Sequence, residues 1–232
     1  MTQDIRDRFI ITADDYGIRQ TAEPILRLVH EGKADRVAVL IHYVSLDQAR
    51  ALLESGAKID LHLELIGVLK TGDKVRESAV SRGINFFMRY ITGLLTAEQV
   101  EIEWNDQIRR FQELFGRLPD GLNSHEHLHF FPDFSRVFVA LAKRHGVQYV
   151  RFSRRGMLLS QNFNLIGKVL SFLWKRTVHL YRNETFETSE YLVSLDWLSD
   201  FASFSREMPS GTVELVVHLE REEDYRMMLE YF

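Results

Sequence analysis

The sequence predicts an α/β fold, a single domain built around mostly parallel strands, and three features carry that expectation. Short apolar runs alternate with stretches whose apolar residues recur three and four apart, which is strand taking turns with helix. Such alternation builds a parallel sheet with helices packed outside it, either opened as a doubly wound layer or closed into a barrel. The chain has 232 residues, 45% of them hydrophobic, enough for one large core. No low-complexity linker and no short-period repeat divides it.

The first unit is the apolar run "RFIITADD" (8 to 15), followed by a helix over about 18 to 31 with Ala22, Ile25, Leu26 and Val29 on one face. "RVAVLI" (36 to 41) is the second strand and 46 to 55 its helix. "KIDLHLEL" (58 to 65) is the third; a loop-rich insertion follows, then a long helix from Thr96 to Phe115, opened by the capping-box pattern Thr96-Ala-Glu-Gln99. "DGLNSHEH" (120 to 127) is the fourth strand, with a helix over 133 to 145. "VQYVRF" (147 to 152) is the fifth, ahead of a helical stretch over 163 to 179. "TVELVVHL" (212 to 219) and a short helix end the chain.

Composition narrows the function. Acidic and basic residues nearly cancel, 33 against 29, so no charge excess marks a nucleic-acid binder. With no cysteine, any metal must be held by imidazole and carboxylate. The charged start "MTQDIRDRFIITADD" lacks the apolar run of a signal peptide, and no window reaches the ~18 apolar residues of a membrane span, so a cytoplasmic protein without an integral membrane segment is expected.

Both α/β architectures place their sites at the carboxyl ends of the strands. There stand Asp14 and Asp15 on the first strand, His62 and Glu64 on the third, His125, His127 and His129 on the fourth, Arg151 on the fifth and His218 on the last. Adjacent aspartates serve either to cap the next helix or to divide labour, one binding a cation while the other accepts a proton; Gly17 permits the tight backbone this needs. In "DLHLEL", Asp60, His62 and Glu64 share one strand face, so that face looks onto something polar. In "SHEHLH" a continued strand aligns three imidazoles, with a turn expected near Pro132; either this is a solvated histidine-rich turn ordered by hydrogen bonds, or one imidazole ligates a metal and the others support it or face substrate. One carboxylate and two imidazoles from different strands suit Zn²⁺, Mn²⁺, Fe²⁺ or Co²⁺ and leave coordination positions open, as catalysis requires.

The blocks "TADDYG", "IDLHLEL", "NSHEHLHFFP", "VRFSR" and "ELVVHLE", in this order over residues 8 to about 220, resemble the YdjC-like (ChbG/HpnK) family of carbohydrate deacetylases. The resemblance implies a single-domain (β/α) barrel of TIM-barrel kind, distorted or incomplete, spanning residues 1 to 232. It implies a divalent metal, zinc or magnesium first and manganese, cobalt or iron next, on Asp15, His62 and His125, with Asp14 as general base and His218 as candidate acid. The chain departs from the family pattern with Asn123 where Asp is usual, Tyr16 for Phe and Leu219 for Pro. The reaction expected is removal of an N-acetyl group from an amino sugar or short glycan, with His127 a second candidate acid and, with Glu64, a substrate-facing group. Arg151 orients Asp14, holds a substrate oxygen, or forms a surface ion pair. Alternatives are a metal-dependent phosphoesterase or amidohydrolase on the same set and an inactive sugar-binding barrel. Aromatics at Phe86, Phe87, Tyr90, Phe163, Phe172, Trp174 and Trp197 are expected to be mostly core, with a few stacking on sugar. The basic, amphipathic "NFNLIGKVLSFLWKR" is either a packed helix or a face toward a membrane carrying a lipid-linked glycan, and exposed aromatic loops allow a homodimer.

Overall fold

The computed structural model describes residues 3–18, 20–65, 86, 88–159 and 165–232. Most of the loop-rich insertion expected after the third strand, Phe87, Phe163 and the start of "NFNLIGKVLSFLWKR" lie outside the described residues. Eight strands, β1 (Phe9–Tyr16), β2 (Arg36–Val39), β3 (Lys58–Leu63), β4 (Gly121–Ser124), β5 (Tyr149–Val150), β6 (Gly156–Met157), β7 (Tyr191–Ser194) and β8 (Val213–Val217), form one sheet. All its ladders are parallel, in the order β5-β4-β3-β2-β1-β8-β7-β6. The two ends of this order approach each other: Tyr149 of β5 bridges to Glu187, just ahead of β7. The sheet is therefore curled into an incomplete barrel, the distorted form expected.

Helices among the described residues include α1 (Gln3–Arg6), α2 (Ala22–His30), α3 (Leu46–Glu54), α4 (Ala97–Phe115), α5 (Pro132–His145), α6 (Leu165–Tyr181), α7 (Phe201–Glu207) and α8 (Glu222–Tyr231). They cover the outside, so the strands are buried on both faces and read as nearly continuous apolar runs. Local signals fix the boundaries. Thr96 and Gln99 form the expected capping box, Ser45 and Gln48 another, and α4 and α5 end at left-handed Gly116 and Gly146. α4 packs on α5 and α5 on α6. Among the described residues no helix is long and apolar enough to cross a membrane.

Three expectations fail. β6 and β7 were not foreseen, because two to four residues give too short a period to read. The fifth strand shrinks from 147–152 to Tyr149–Val150. The fourth ends at Ser124, not 127, and His125–Phe130 form a 3-10 turn in which Glu126 and His127 are both left-handed, at φ 54°. The chain thus turns seven residues before Pro132, and His125, His127 and His129 do not line one strand edge.

The barrel interior is polar at its floor. Arg36 donates to Asp60 twice, Nε to Oδ2 at 2.8 Å and Nη2 to Oδ1 at 2.5 Å, and its guanidinium lies 3.8 Å from the ring centre of Tyr149. Tyr149 donates to Glu214 Oε2 at 2.7 Å, and Thr12 to Glu214 Oε1 at 3.0 Å. Gly121 leaves the room: a Cβ there would stand 2.6 Å from Asp60 Oδ1 and 2.7 Å from Arg36 Nη2. Arg36, Asp60, Tyr149, Thr12 and Glu214 are all buried.

Candidate active site

β1 delivers two carboxylates where strand alternation allows one. Its register against β2 shifts between Ala13 and Tyr16, so Asp14 and Asp15 together oppose a single residue, a β-bulge. Asp15 sits at φ 64°, a left-handed backbone that costs a non-glycine residue on the order of 1–3 kcal/mol and turns its side chain to the same interior as Asp14. Both are buried. Neither caps α2, whose first turn begins at Thr21. Gly17 has φ 109°, and a Cβ there would meet Val44 Cγ2 at 2.6 Å, so glycine is required after the bulge, as expected.

β3 and the turn after β4 complete the cluster. His62 Nε2 lies 3.3 Å from Asp15 Oδ1 and 3.7 Å from Asp14 Oδ2, and His125 Nδ1 lies 3.0 Å from Asp15 Oδ1. One ligand atom from each of Asp15, His62 and His125 falls within 4.8 Å of the others. Donors about 2.0–2.1 Å from a shared ion lie roughly 3.0–3.4 Å apart, so the two imidazole-to-Asp15 distances suit a common divalent cation. The tautomer agrees: His62 Nδ1 donates a short hydrogen bond to Asn123 Oδ1, which leaves the Nε2 lone pair facing Asp15. The donor set fits the metal that the resemblance implies.

Arg151 is wholly buried, which removes the surface ion pair from its three expected roles. It grips Asp14 with both ends of its fork, Nη1 to Oδ2 and Nη2 to Oδ1, each 2.7 Å, while Nε donates to Glu214 Oε1 at 2.7 Å. Burial alone would raise the Asp14 carboxyl, but the charges of Arg151 and His62 outweigh it and lower the pKa to about 2. Burial likewise opposes ionisation of Asp15, yet the two histidines bring it well below the usual range. His125 is raised to about 9, burial being overcome by Asp15.

His127 and His218 face the same charges. His127 is lowered to about 3, first by burial and then by Arg151, and its ring stands 5.8 Å from that of Trp197. The Nδ1 atoms of His127 and His218, and Nδ2 of Asn123, are buried without a hydrogen-bond partner among the described residues. His218 follows β8, its backbone N–H donating to Asp224 Oδ2 at 2.9 Å. Glu64 lies one residue past β3, its carboxylate 3.9 Å from His42 Nε2. His129 turns away: its Nδ1 shares a 2.6 Å hydrogen bond with Ser124 Oγ and its ring packs on Phe138. Asp60 belongs to the floor, not the site. Sequence reasoning missed Glu214 and Tyr149, although a glutamate inside the otherwise apolar run "VELVV" is a signal of an inward-facing acid.

Comparison with known proteins gives a consistent assignment. Residues 8–228 match the family described as YdjC-like protein. A carbohydrate deacetylase of Danio rerio is 28% identical over 153 residues, 62% of this chain and 49% of that protein. A chitooligosaccharide deacetylase of Escherichia fergusonii is 27% identical over 146 residues, 60% of this chain and 56% of that protein. The matches thus span about half the length of these relatives. Among solved structures, a putative cellobiose-phosphate cleavage protein of Enterococcus faecalis shares the fold at a TM-score of 0.58 and 17% identity, over 90% of this chain and 80% of that one.

Proposed function

Because the chain belongs to the YdjC-like family, we propose that it is a metal-dependent hydrolase that removes an N-acetyl group from an amino sugar or short glycan. The observation that carries this reading is the convergence of Asp15, His62 and His125 from three segments beside an arginine-clamped Asp14. The relatives named carbohydrate and chitooligosaccharide deacetylase support the substrate class. Asp15, His62 and His125 would hold a divalent ion, zinc or magnesium first, which lowers the pKa of bound water toward ~7 and polarises the acetyl carbonyl.

The protein's own groups handle the protons. Asp14 stays ionised at neutral pH and is fixed in one plane by Arg151, so it can accept the proton of the attacking water. A carboxyl held this acidic gives its proton up readily. The amine leaving group then needs an acid, and His218 supplies it; His127, its pKa held at about 3 and its ring so neutral near pH 7, is the weaker candidate. His127 and Glu64 are the groups assigned to contact the sugar. Arg151 works through Asp14: its fork is spent on Asp14 and Glu214, so it is a positioning residue and does not hold substrate.

Acetate release from N-acetylated mono- and oligosaccharides, with chelator and after metal add-back, tests the reading. Expected is chelator-sensitive release that Asp14→Asn abolishes while metal binding persists. Sugar binding without acetate release under any divalent metal would make the protein a binding module, and release of phosphate from phosphorylated sugars instead would make it a phosphoesterase.

A further inference from the structure

Charge is unevenly distributed over the chain. Residues 134–183 hold ten lysines and arginines and not one aspartate or glutamate, whereas the whole chain has 29 basic and 33 acidic residues. Arg151 is taken into the barrel; the rest fall on α5, α6 and the segments that flank them, and α5 and α6 pack side by side. The outward stripe of α6 carries Lys168, Val169, Phe172, Lys175, Arg176 and His179, spaced three and four apart, and Leu170, Trp174, Thr177 and Tyr181 face inward. Arg182 continues the basic stripe beyond the helix end. On the α5 side, Arg136, Lys143 and Arg144 line a groove of about 580 Å³. Lys143 and Arg144 are paired with Glu184 at 2.9 Å and Glu101 at 2.7 Å.

The apolar members of the stripe decide what it fits. Phe172 is 58% exposed and Val169 47% exposed, in the middle of the cations, and Arg176 lies 5.8 Å from the ring centre of Phe172. Trp174, by contrast, is turned inward, its N–H donating to Ser153 O at 3.1 Å. Cations alone would suit any polyanion. A phenylalanine and a valine projecting from a convex helix surface suit a layer with an apolar interior beneath its charged groups. Tyr90, within electrostatic reach of Arg176, is flanked in the chain by exposed Met88 and Ile91, which carry the apolar surface further.

We propose that the outer face of α6 docks on an anionic lipid bilayer, Phe172 and Val169 entering between headgroups while Lys175, Arg176 and Arg182 meet lipid phosphates. The turn carrying His125 and His127 contacts α6, so docking brings the barrel mouth close to the membrane surface. The inference uses no residue of the proposed hydrolytic site and stands or falls separately from it.

Co-sedimentation of the full chain with vesicles of phosphatidylglycerol and phosphatidylcholine, against phosphatidylcholine alone, tests it. Expected is binding to the anionic vesicles only, falling as salt rises. Each basic side chain near such a surface is worth roughly fivefold, so Lys175→Glu with Arg176→Glu lowers partitioning at least ~25-fold. Phe172→Ala lowers it several-fold while leaving the denaturation midpoint and acetate release from a soluble sugar unchanged. The proposal is overturned by wild-type protein that ignores anionic vesicles or binds neutral ones equally. It is also overturned if Phe172→Ala binds like wild type while heparin or duplex DNA displaces the vesicles, which would assign the face to a polyanion.

Discussion

The barrel encloses two clusters of buried polar groups, one at the floor and one at the mouth, and they are built on opposite principles. At the floor the chain's own groups answer one another: Arg36 with Asp60, Tyr149 and Thr12 with Glu214, each within 3.0 Å. At the mouth the carboxylates of Asp14 and Asp15 crowd together beside two imidazoles, and Asn123 Nδ2, His127 Nδ1 and His218 Nδ1 are left without hydrogen-bond partners among the described residues. Three of the five left-handed non-glycine residues among the described ones, Asp15, Glu126 and His127, stand at the mouth; the others are Gln20 and Ser153. Unsatisfied buried atoms and strained backbone persist only where the surrounding fold imposes them, and they cluster where a protein works on something else. Arg151 joins the two clusters, one nitrogen on Glu214 below and two on Asp14 above.

Substitutions at the two levels should therefore separate activity from stability. At the mouth, Asp15→Asn, His62→Gln or His125→Gln removes a group expected to hold the metal; acetate release per folded molecule should fall more than ~10³-fold, far beyond what any accompanying fall in the urea midpoint explains. At the floor, Arg36→Met leaves Asp60 buried and unpaired, which costs about 3–5 kcal/mol in urea unfolding, while turnover per folded molecule is unchanged. Adding Asp60→Leu to Arg36→Met should restore most of that loss, because an apolar pair replaces the ionic one at little net cost. A floor variant that kept its stability and lost its rate would erase the distinction.

The face each residue takes was legible in the sequence; its depth in the barrel was not. The alternation in "DLHLEL" placed Asp60 and His62 on the inner side of β3, but only the register of β3 against β2 and β4 puts Asp60 beside Arg36 and His62 beside Asn123. That register is a property of the closed sheet and not of any one segment. Asp14 and Asp15 were recognisable as a pair, whereas the bulge that turns both inward has no local sequence mark apart from Gly17. "SHEHLH" misled because it reads with period two, and the left-handed turn at Glu126 and His127 contains no glycine to announce it. Glu214 carried a usable signal, a charged residue inside an apolar strand, whereas Arg36, first in its strand and next to Asp35, carried none.

The Asn123 contact sharpens the comparison at finer scale. At the floor hydrogen bonds hold the protein together; here one orients His62, a group proposed to hold the metal. Asn123→Leu removes the acceptor for His62 Nδ1–H and should weaken metal binding about 10- to 100-fold by titration calorimetry, with a smaller change in unfolding free energy. Asn123→Asp keeps an acceptor in place and should retain or exceed wild-type affinity. Equal affinity for Asn123→Leu would mean that His62 needs no such support.

The remaining prediction concerns a proton. In the metal-free protein the His125 pKa is raised to about 9, so near neutral pH the ring is charged and its Nδ1–H points at Asp15 Oδ1, 3.0 Å away. A raised histidine stabilises the fold below its unfolded value of about 6.5, and that contribution fades as pH climbs through about 9. Metal binding requires the neutral ring, so it must expel this proton. Apparent affinity should then rise about tenfold per pH unit between roughly 6.5 and 9 and level off above, with close to one proton released per ion. Calorimetry in two buffers of different ionisation enthalpy counts that proton directly. A flat affinity across this range would show that the pair between His125 and Asp15 is not what the metal displaces, and the mouth would then resemble the floor, its charges already answered from within.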